Sequence, residues 1–391
     1  MNRVILGIER FRAFSPSWLK EARIGLLINQ ASINSSFRHT KEVLAELAGG
    51  NLRALFAPQH GIRGELQANM VASEDTGDPQ LGVPIFSLYS SQTRTPTEEM
   101  LEEVDVLLID LQDVGTRVYT FATTMGLCLE AAAKYGKKVT VLDRPNPIGG
   151  KRVEGNLLKE EFRSFVGFSA LPMRHGLTMG ELALFFNGEN GIGAELEVVP
   201  MERYNRNYLF SHTGLPWVNP SPNIPTPDTA LVYPGQVLLE GTNLSEGRGT
   251  TKPFEFFGAP YIDPHPLNQG LERRGLPGVT FREVSFIPQF DKWKGQSCHG
   301  LQLHVTNPDS FKPYYTTLAI IQEIMEKWPK EFAWRPPPYE YEFDKVPFDI
   351  IAGDDGIRKE LEEGRNLDEM EVAWGKELED FLARRERCLL Y

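Results

Sequence analysis

The sequence predicts an α/β protein: a doubly wound, mainly parallel sheet followed by a smaller α/β (α+β) domain. Three observations carry this expectation. The segments VDVLLID (104–110) and KVTVLD (138–143) are nearly continuous apolar runs, as strands buried on both faces must be. Strand-like and helical patterns alternate through the first 200 residues, the signature of a sheet wound with helices. The segment 214–228, GLPWVNPSPNIPTPD, holds five prolines, which remove backbone donors and fix φ, so neither a helix nor an interior strand runs through it. A chain of 391 residues is too long for one ordinary core, and the boundary is placed at the end of this segment, giving domains 1–228 and 229–391.

Strands are expected at 23–29, 52–57, 84–88, 104–110, 138–142 and 196–199. Helices fit between them. Residues 40–48 bring Val43, Leu44 and Leu47 to one face. Residues 97–104 follow Pro96 and carry Glu98 and Glu99 in the first turn, where carboxylates complement the helix dipole. Residues 119–135 are alanine-rich and stop at Gly136. Residues 178–186 open on Thr178 and Glu181, a capping box. Beyond the boundary come a glycine-rich segment, strands at 278–286 and 299–305, and helices at 316–327 and 370–387. The prolines at 336–338 mark a surface connector.

Composition narrows the function. Acidic residues number 53 against 41 basic, a formal charge of −12, which argues against nucleic acid and anionic membranes as partners. No apolar run reaches membrane-spanning length, and the opening MNRVILGIERF lacks the pattern of a secretory leader. Cys128, Cys298 and Cys388 are odd in number and far apart, which suggests neither a disulfide framework nor a cysteine zinc site. The expectation is a reduced, cytoplasmic protein acting on a small molecule, with a homodimer allowed.

Ligands of doubly wound sheets bind beyond the carboxyl ends of the strands. Three such ends here carry polar clusters: Pro58 to Glu65, Asp110 to Arg117, and Asp143-Arg144-Pro145-Asn146-Pro147. Each delivers a carboxylate and an arginine, which points to a shared site. Asp110 and Asp113 suit a nucleophile, a base or a metal ligand; the alternative is a turn acceptor paired with Arg117 or Arg144. His60 is either a substrate donor or a satisfied loop histidine, and His175 is a weaker candidate.

The segment 240–252, EGTNLSEGRGTTK, looks like a phosphate cradle, but Thr250 follows Gly249 and Pro253 follows Lys252, so the Walker pattern fails. The dinucleotide fingerprint fails too, because Leu196 stands where the third glycine should follow Gly191 and Gly193. A tight polar substrate loop, contributing Glu246 and Arg248, is the better reading, with a purely structural bend as the alternative. No zinc-hydrolase or serine-hydrolase motif is present, and no metal or cofactor is expected. Tyr89, Tyr119, Trp217, Asn219, Asn223 and Tyr233 offer aromatic faces and amides of the kind that bind sugars; the same residue types also serve as core and turns. The candidate catalytic set is Glu65, Asp110, Asp113 and Glu246. The candidate binding set is Gln59, His60, Arg63, Arg117, Tyr119, Asn223 and Arg248.

Several long strings resemble one family: GLLINQAS, ALFAPQHGIRGELQA, LLIDLQDVGTRVYTF, VLDRPNPIGG, RHGLTMGELA, PSPNIPTPDTALVYPG and LLEGTNLSEGRGTTKPFEFFGAP, with LPGVTFR and CHGLQLHVT further on. They are similar to the NamZ family of exo-β-N-acetylmuramidases, and the likeness runs from about Gly7 to Tyr391. It implies a Rossmann-like first domain, a smaller second one, and a cleft between them. It also implies a glycosidase that releases N-acetylmuramic acid from the non-reducing end of peptidoglycan fragments. Selection of that sugar calls for a cation on its lactyl carboxylate, with Arg63, Arg117 and Arg248 as candidates.

The family often has Pro-Glu-His-Gly where this chain has Pro58-Gln59-His60-Gly61, and that glutamate is a favoured acid. Glutamine cannot donate a proton at neutral pH. Glu65 or another cleft carboxylate must then supply the acid, or the protein is a catalytically altered sugar-binding or regulatory module on the same scaffold.

Overall fold

The computed structural model describes residues 3–66 and 71–391. Gln67 and Ala68, the end of the ALFAPQHGIRGELQA string, lie outside the described residues. The strands are β1 (Ile24–Ile28), β2 (Leu52–Ala57), β3 (Thr76–Gly77), β4 (Pro84–Ser87), β5 (Val106–Asp110), β6 (Lys138–Leu142), β7 (Glu154–Leu157), β8 (Pro172–Arg174), β9 (Glu195–Val199), β10 (Phe256–Ala259), β11 (Val279–Phe286) and β12 (Cys298–Val305).

Seven of them form one sheet in the order β3-β4-β2-β1-β5-β6-β9. Every pairing is parallel except β3 on β4 at the edge. The order reverses at β1, with β2 and β4 on one side and β5, β6 and β9 on the other, which makes a topological switch point. Side chains alternate across this sheet. Leu27, Leu107, Ile109, Val139 and Val141 enter one apolar cluster, while Ile24, Leu26, Ile28, Leu108 and Leu142 enter another on the opposite face. This two-sided burial is why 104–110 and 138–143 read as unbroken apolar runs.

The expected strands and helices form, with ends shifted by one to three residues in most cases. The helix expected at 97–104 is a single turn, Glu98–Leu101, because Val104 folds back to bond Leu101 as the chain enters β5. The capping box of the helix Met179–Glu189 is present, Thr178 taking the Glu181 N–H and Glu181 taking the Thr178 N–H. Elements the sequence pattern did not reveal include the helix Gly7–Phe14, which buries Ile8 and Phe11, and the separate β7–β8 ribbon.

The chain enters its second part through the helix Pro227–Gln236, with Pro227 in the first turn and Thr226 as the cap. There, β10-β12-β11 form an antiparallel sheet packed by the helix Pro264–Arg274, which the helix Pro313–Lys327 packs against in turn. One apolar cluster runs from Leu107 and Ile109 through Tyr233 to Phe257 and Leu318, so the two parts share a core. The terminal helix Leu367–Arg385 returns to pack on β7. Tyr391 then pins the chain end: its hydroxyl donates to Asp143 Oδ2 (2.7 Å) and accepts from the Met201 N–H (2.6 Å).

Candidate active site

The switch-point crevice between β1 and β5 is closed by the proline-rich segment. Asn29 Nδ2 donates to the carbonyl of Gln112, and Gln30 Nε2 to that of Asn219. The polar pocket opens beside it, beyond the end of β2, where the two parts of the chain meet. Gln59 and His60 come from the loop after β2, Tyr119 and Thr120 from the start of the helix Thr120–Lys134, and Asn223 from the proline-rich segment. The second part of the chain contributes Tyr233, Glu240, Arg248, Tyr339 and Glu340.

Gln59 spans the pocket. Its Oε1 accepts from Thr120 Oγ1 (2.7 Å), and its Nε2 donates to Glu340 Oε1 (3.4 Å). Tyr89 Oη donates to the other Glu340 oxygen (2.7 Å). Burial raises the Glu340 carboxyl above its ordinary value, and the nearby Glu240 charge adds to this, against the bonds from Tyr89 and Gln59 and the charge of Arg248. Glu340 sits on a tight turn in which Tyr339 and Glu342 exchange backbone hydrogen bonds of 2.9 Å. Glu340 and Tyr341 both have positive φ, 44° and 70°. Such a turn favours Asn and Gly, and holding two other residues there costs on the order of 1 kcal/mol each or more. Strain of this kind persists where it aims a side chain.

Glu240 holds Arg248 Nη2 (2.6 Å) and the Tyr339 hydroxyl (2.8 Å). Arg248 also faces Glu246 (3.3 Å), which pairs with Lys292 (2.8 Å). Gly247 and Gly249 have φ of 77° and stand against backbone on their inner side, so this loop bends where only glycine fits. The resulting chain Lys292–Glu246–Arg248–Glu240 is buried and charge-balanced, and it fixes the Glu240 carboxylate at the pocket wall. His60, with φ of 73°, places Nδ1 at 2.6 Å from the Leu66 carbonyl. A carbonyl only accepts, so Nδ1 carries the hydrogen and Nε2 is left as an acceptor. Burial pushes this histidine down to about 4, so it is neutral at physiological pH.

Of the residues singled out from the sequence, Gln59, His60, Tyr119, Asn223 and Arg248 line this pocket together. The expectation that all the candidates share one cleft needs correction. Arg63 and Glu65 are exposed and lie in a neighbouring groove with Lys41 and Asp78, on the far side of the His60 loop. Asp110 is consumed by a buried ion pair with Arg144, whose Nη2 lies 2.9 Å from Oδ2, and Thr40 bonds the same oxygen. The turn-acceptor alternative therefore describes Asp110. Asp113 is buried, accepts the Gly115 N–H (2.6 Å), and lies 4.0 Å from His175 rather than in the pocket wall. Glu246 lies one residue layer behind the pocket; burial raises its carboxyl, but Lys292 and Arg248 outweigh that and hold it below its usual value, the wrong direction for an acid.

Arg117 is not a carboxylate clamp. Its guanidinium is 1% exposed and donates to four backbone carbonyls, those of Asn156, Leu171, Ile351 and Ala352. It thereby ties the first part of the chain to the helix Pro347–Ala352. Glu240, Tyr339 and Glu340 were missed. Glu240 heads the glycine-rich string, but no periodicity marks it; Glu340 follows a proline run, and only its turn conformation makes it special. Two roomier grooves, the one holding Arg63 and one lined by Tyr315, Gln322 and Arg365, are open to solvent. Among the described residues, the interdomain pocket is where buried carboxylates and hydrogen-bond donors converge, the hallmark of reactive sites.

Known proteins agree with this architecture. Family models described as "Exo-beta-N-acetylmuramidase NamZ, N-terminal" and "C-terminal" match residues 24–228 and 231–391. The peptidoglycan β-N-acetylmuramidase NamZ of Bacillus subtilis (strain 168) is 44% identical over 392 residues, covering 100% of this chain and 92% of that protein. Two crystal structures of DUF1343 family proteins from Bacteroides fragilis NCTC 9343 superpose with TM-scores of 0.89 and 0.78, at 34% and 30% identity. Each alignment covers 100% of this chain and 99% of the other. On this evidence the chain belongs to the NamZ family of exo-β-N-acetylmuramidases.

Proposed function

We propose that the interdomain pocket hydrolyses the β-glycosidic bond of a terminal N-acetylmuramic acid in small peptidoglycan fragments. The observation that carries this reading is the pair of carboxylates at one wall. Glu340 is buried with a raised pKa, and Glu240 is salt-bridged to Arg248. Glycoside hydrolysis asks for this division of labour: a protonated acid for the leaving oxygen and a carboxylate for base, nucleophile or stabiliser of the oxocarbenium-like transition state. Glu340 takes the first role and Glu240 the second. Gln59, standing where the family often has glutamate, positions Glu340 through its amide rather than donating a proton itself.

In this reading His60 Nε2 and Asn223, which line the pocket, bind sugar hydroxyl and acetamido groups, and Tyr119 and Tyr233 supply apolar faces beside the ring. The formal charge of −12 and three buried free cysteines support work on diffusible fragments in the cytoplasm. Among the described residues, no helix is long and apolar enough to cross a membrane. The test is sugar release by the wild-type protein from 4-nitrophenyl β-N-acetylmuramide and from the matching glucosaminide. The muramide should be cleaved and strongly preferred. Equal rates on both, or no release between about pH 5 and 8, would favour the sugar-binding alternative.

A further inference from the structure

The expected cations for the lactyl carboxylate are largely committed elsewhere. Arg117 serves four carbonyls, Arg144 serves Asp110, and Arg248 lies between Glu240 and Glu246. Arg63 opens into the neighbouring groove. A different arginine, connected to the acid through Tyr89 and outside the lining of the pocket itself, has unspent donors among the described residues. The Arg94 guanidinium carbon lies 3.4 Å from the centre of the Tyr341 ring, 5.7 Å from that of Phe165 and 5.8 Å from that of Tyr89. Tyr89 in turn packs on both other rings, with centroids 5.4 Å from Phe165 and 5.9 Å from Tyr341. Arg94 is half-buried, its Nε is buried without a hydrogen-bond partner, and no carboxylate among the described residues lies within ion-pair distance of it.

This aromatic box and the acid share their walls. The Tyr89 hydroxyl bonds Glu340, and Tyr341 is the next residue along the strained turn. The three rings hold the guanidinium plane through cation–π contact and leave its N–H edge without a partner among the described residues, so the charge is oriented but not neutralised there. An unpaired, partly desolvated guanidinium is a receptor for a carboxylate, which it can grip with two parallel hydrogen bonds. N-acetylmuramic acid differs from N-acetylglucosamine by such a group, a lactyl ether carboxylate on the same ring that carries the scissile bond.

Resting on the muramidase reading, we propose that Arg94, boxed by Tyr89, Phe165 and Tyr341, binds the lactyl carboxylate and sets the preference for muramate over glucosamine. The arginine is a specificity residue: it touches the substrate at a group that does not react. The turn that aims Glu340 also supplies Tyr341 to the box, so recognition of the carboxylate and placement of the acid are mechanically joined.

Calorimetric binding of free N-acetylmuramic acid, its methyl ester and N-acetylglucosamine to the wild type and to Arg94→Gln tests this without relying on turnover. The wild type should bind the acid at least about tenfold more tightly than either neutral sugar, as loss of a charged hydrogen-bonded partner implies. Arg94→Gln should bind all three alike, with glucosamine affinity unchanged. Arg94→Lys, a point charge without the planar fork, should fall between. Preference retained in Arg94→Gln, or an unmodified preference for the methyl ester in the wild type, overturns the assignment. So does a wild type that does not prefer the acid. If the wild type prefers the acid through Arg94 but cleaves no muramide, the carboxylate site stands and the hydrolytic reading falls.

Discussion

Replacing Arg117 with methionine separates a scaffold role from a substrate role at a position whose sequence context suggested the latter. Methionine keeps much of the side-chain volume and removes all five donors. Four backbone carbonyls then lose a donor: those of Leu171 and Ala352 keep a second one, from the Leu158 N–H (3.1 Å) and Asn156 Nδ2 (2.9 Å), while those of Asn156 and Ile351 lose the partner that Arg117 gave them. Two orphaned buried acceptors at about 1–3 kcal/mol each, plus two further lost hydrogen bonds at about 0.5–1.5 kcal/mol each, make a gross loss of roughly 3–9 kcal/mol. Part of this is recovered, because the buried charge itself is unfavourable. Burial pushes Arg117 down to about 10 from 12.5, roughly 3 kcal/mol of desolvation at 1.36 kcal/mol per unit. The net expectation is destabilisation by about 3 kcal/mol, a sizeable share of the roughly 5–15 kcal/mol that holds a typical domain together. Urea unfolding followed by circular dichroism reads this directly. Arg117→Lys should also be destabilised, since one ammonium cannot serve four carbonyls. Any Arg117 variant that still folds should keep its muramide-over-glucosaminide preference. A variant as stable as the wild type that has lost that preference would refute the scaffold assignment and restore Arg117 as a substrate clamp.

Two further perturbations test the buried chemistry. Burial raises Asp113 to about 7, offset in part by the N–H groups of Gly115 and Val114, whereas the unfolded value is near 3.8. A raised folded pKa means that the fold favours the protonated form, so this group's contribution is full below about pH 4 and is lost as pH rises towards 7. Asp113→Asn removes that titration. It should gain stability relative to the wild type progressively between about pH 4 and 7, by about 4 kcal/mol at the upper end, and parallel stability–pH curves for the two proteins would rule the assignment out. Gly235 lies inside the helix Pro227–Gln236, where alanine would ordinarily stabilise by about 1 kcal/mol. A Cβ there would meet the Pro313 carbonyl oxygen at 1.9 Å, so Gly235→Ala should instead lower the melting temperature, and a raised one would mean the two helices are not so closely packed.

Much of the fold was legible because the central strands are buried on both faces. A residue such as Leu107 or Leu108 has no polar option on either side, and the sequence shows it as an unbroken apolar run. The capping box at Thr178 and Glu181 was legible for a similar reason: both partners lie within one turn. The helix Gly7–Phe14 was not, since eight residues with only Ile8 and Phe11 fully engaged carry little periodicity. In the candidate pocket, Gln59, His60, Tyr119, Asn223 and Arg248 could be singled out because they follow strands or sit in special loops. Asp110 and Arg117 had the same signal and turned out to hold the scaffold. A carboxylate beside an arginine looks alike in sequence whether it is paired, as Asp110 is with Arg144, or open to a ligand. Glu340 was invisible: its partners Tyr89 and Gln59 lie about 250 and 281 residues away, and its burial depends on a left-handed turn at residues that do not advertise one.

The central claim is that Glu340 protonates the leaving oxygen, and leaving-group dependence tests it most directly. The measurement is kcat/KM for wild type and Glu340→Gln on two substrates: a natural β-1,4-linked muramyl–glucosamine fragment, and a 2,4-dinitrophenyl muramide whose leaving group needs no proton. Glutamine preserves the volume of the side chain and one of the two acceptor oxygens that Gln59 and Tyr89 bond, but it is not an acid. The account predicts a loss of about 100- to 10,000-fold on the natural fragment, little loss on the dinitrophenyl substrate, and disappearance of the limb in the pH profile that arises from the raised Glu340 carboxyl. Equal losses on both substrates, or wild-type turnover of the natural fragment by Glu340→Gln, would contradict it.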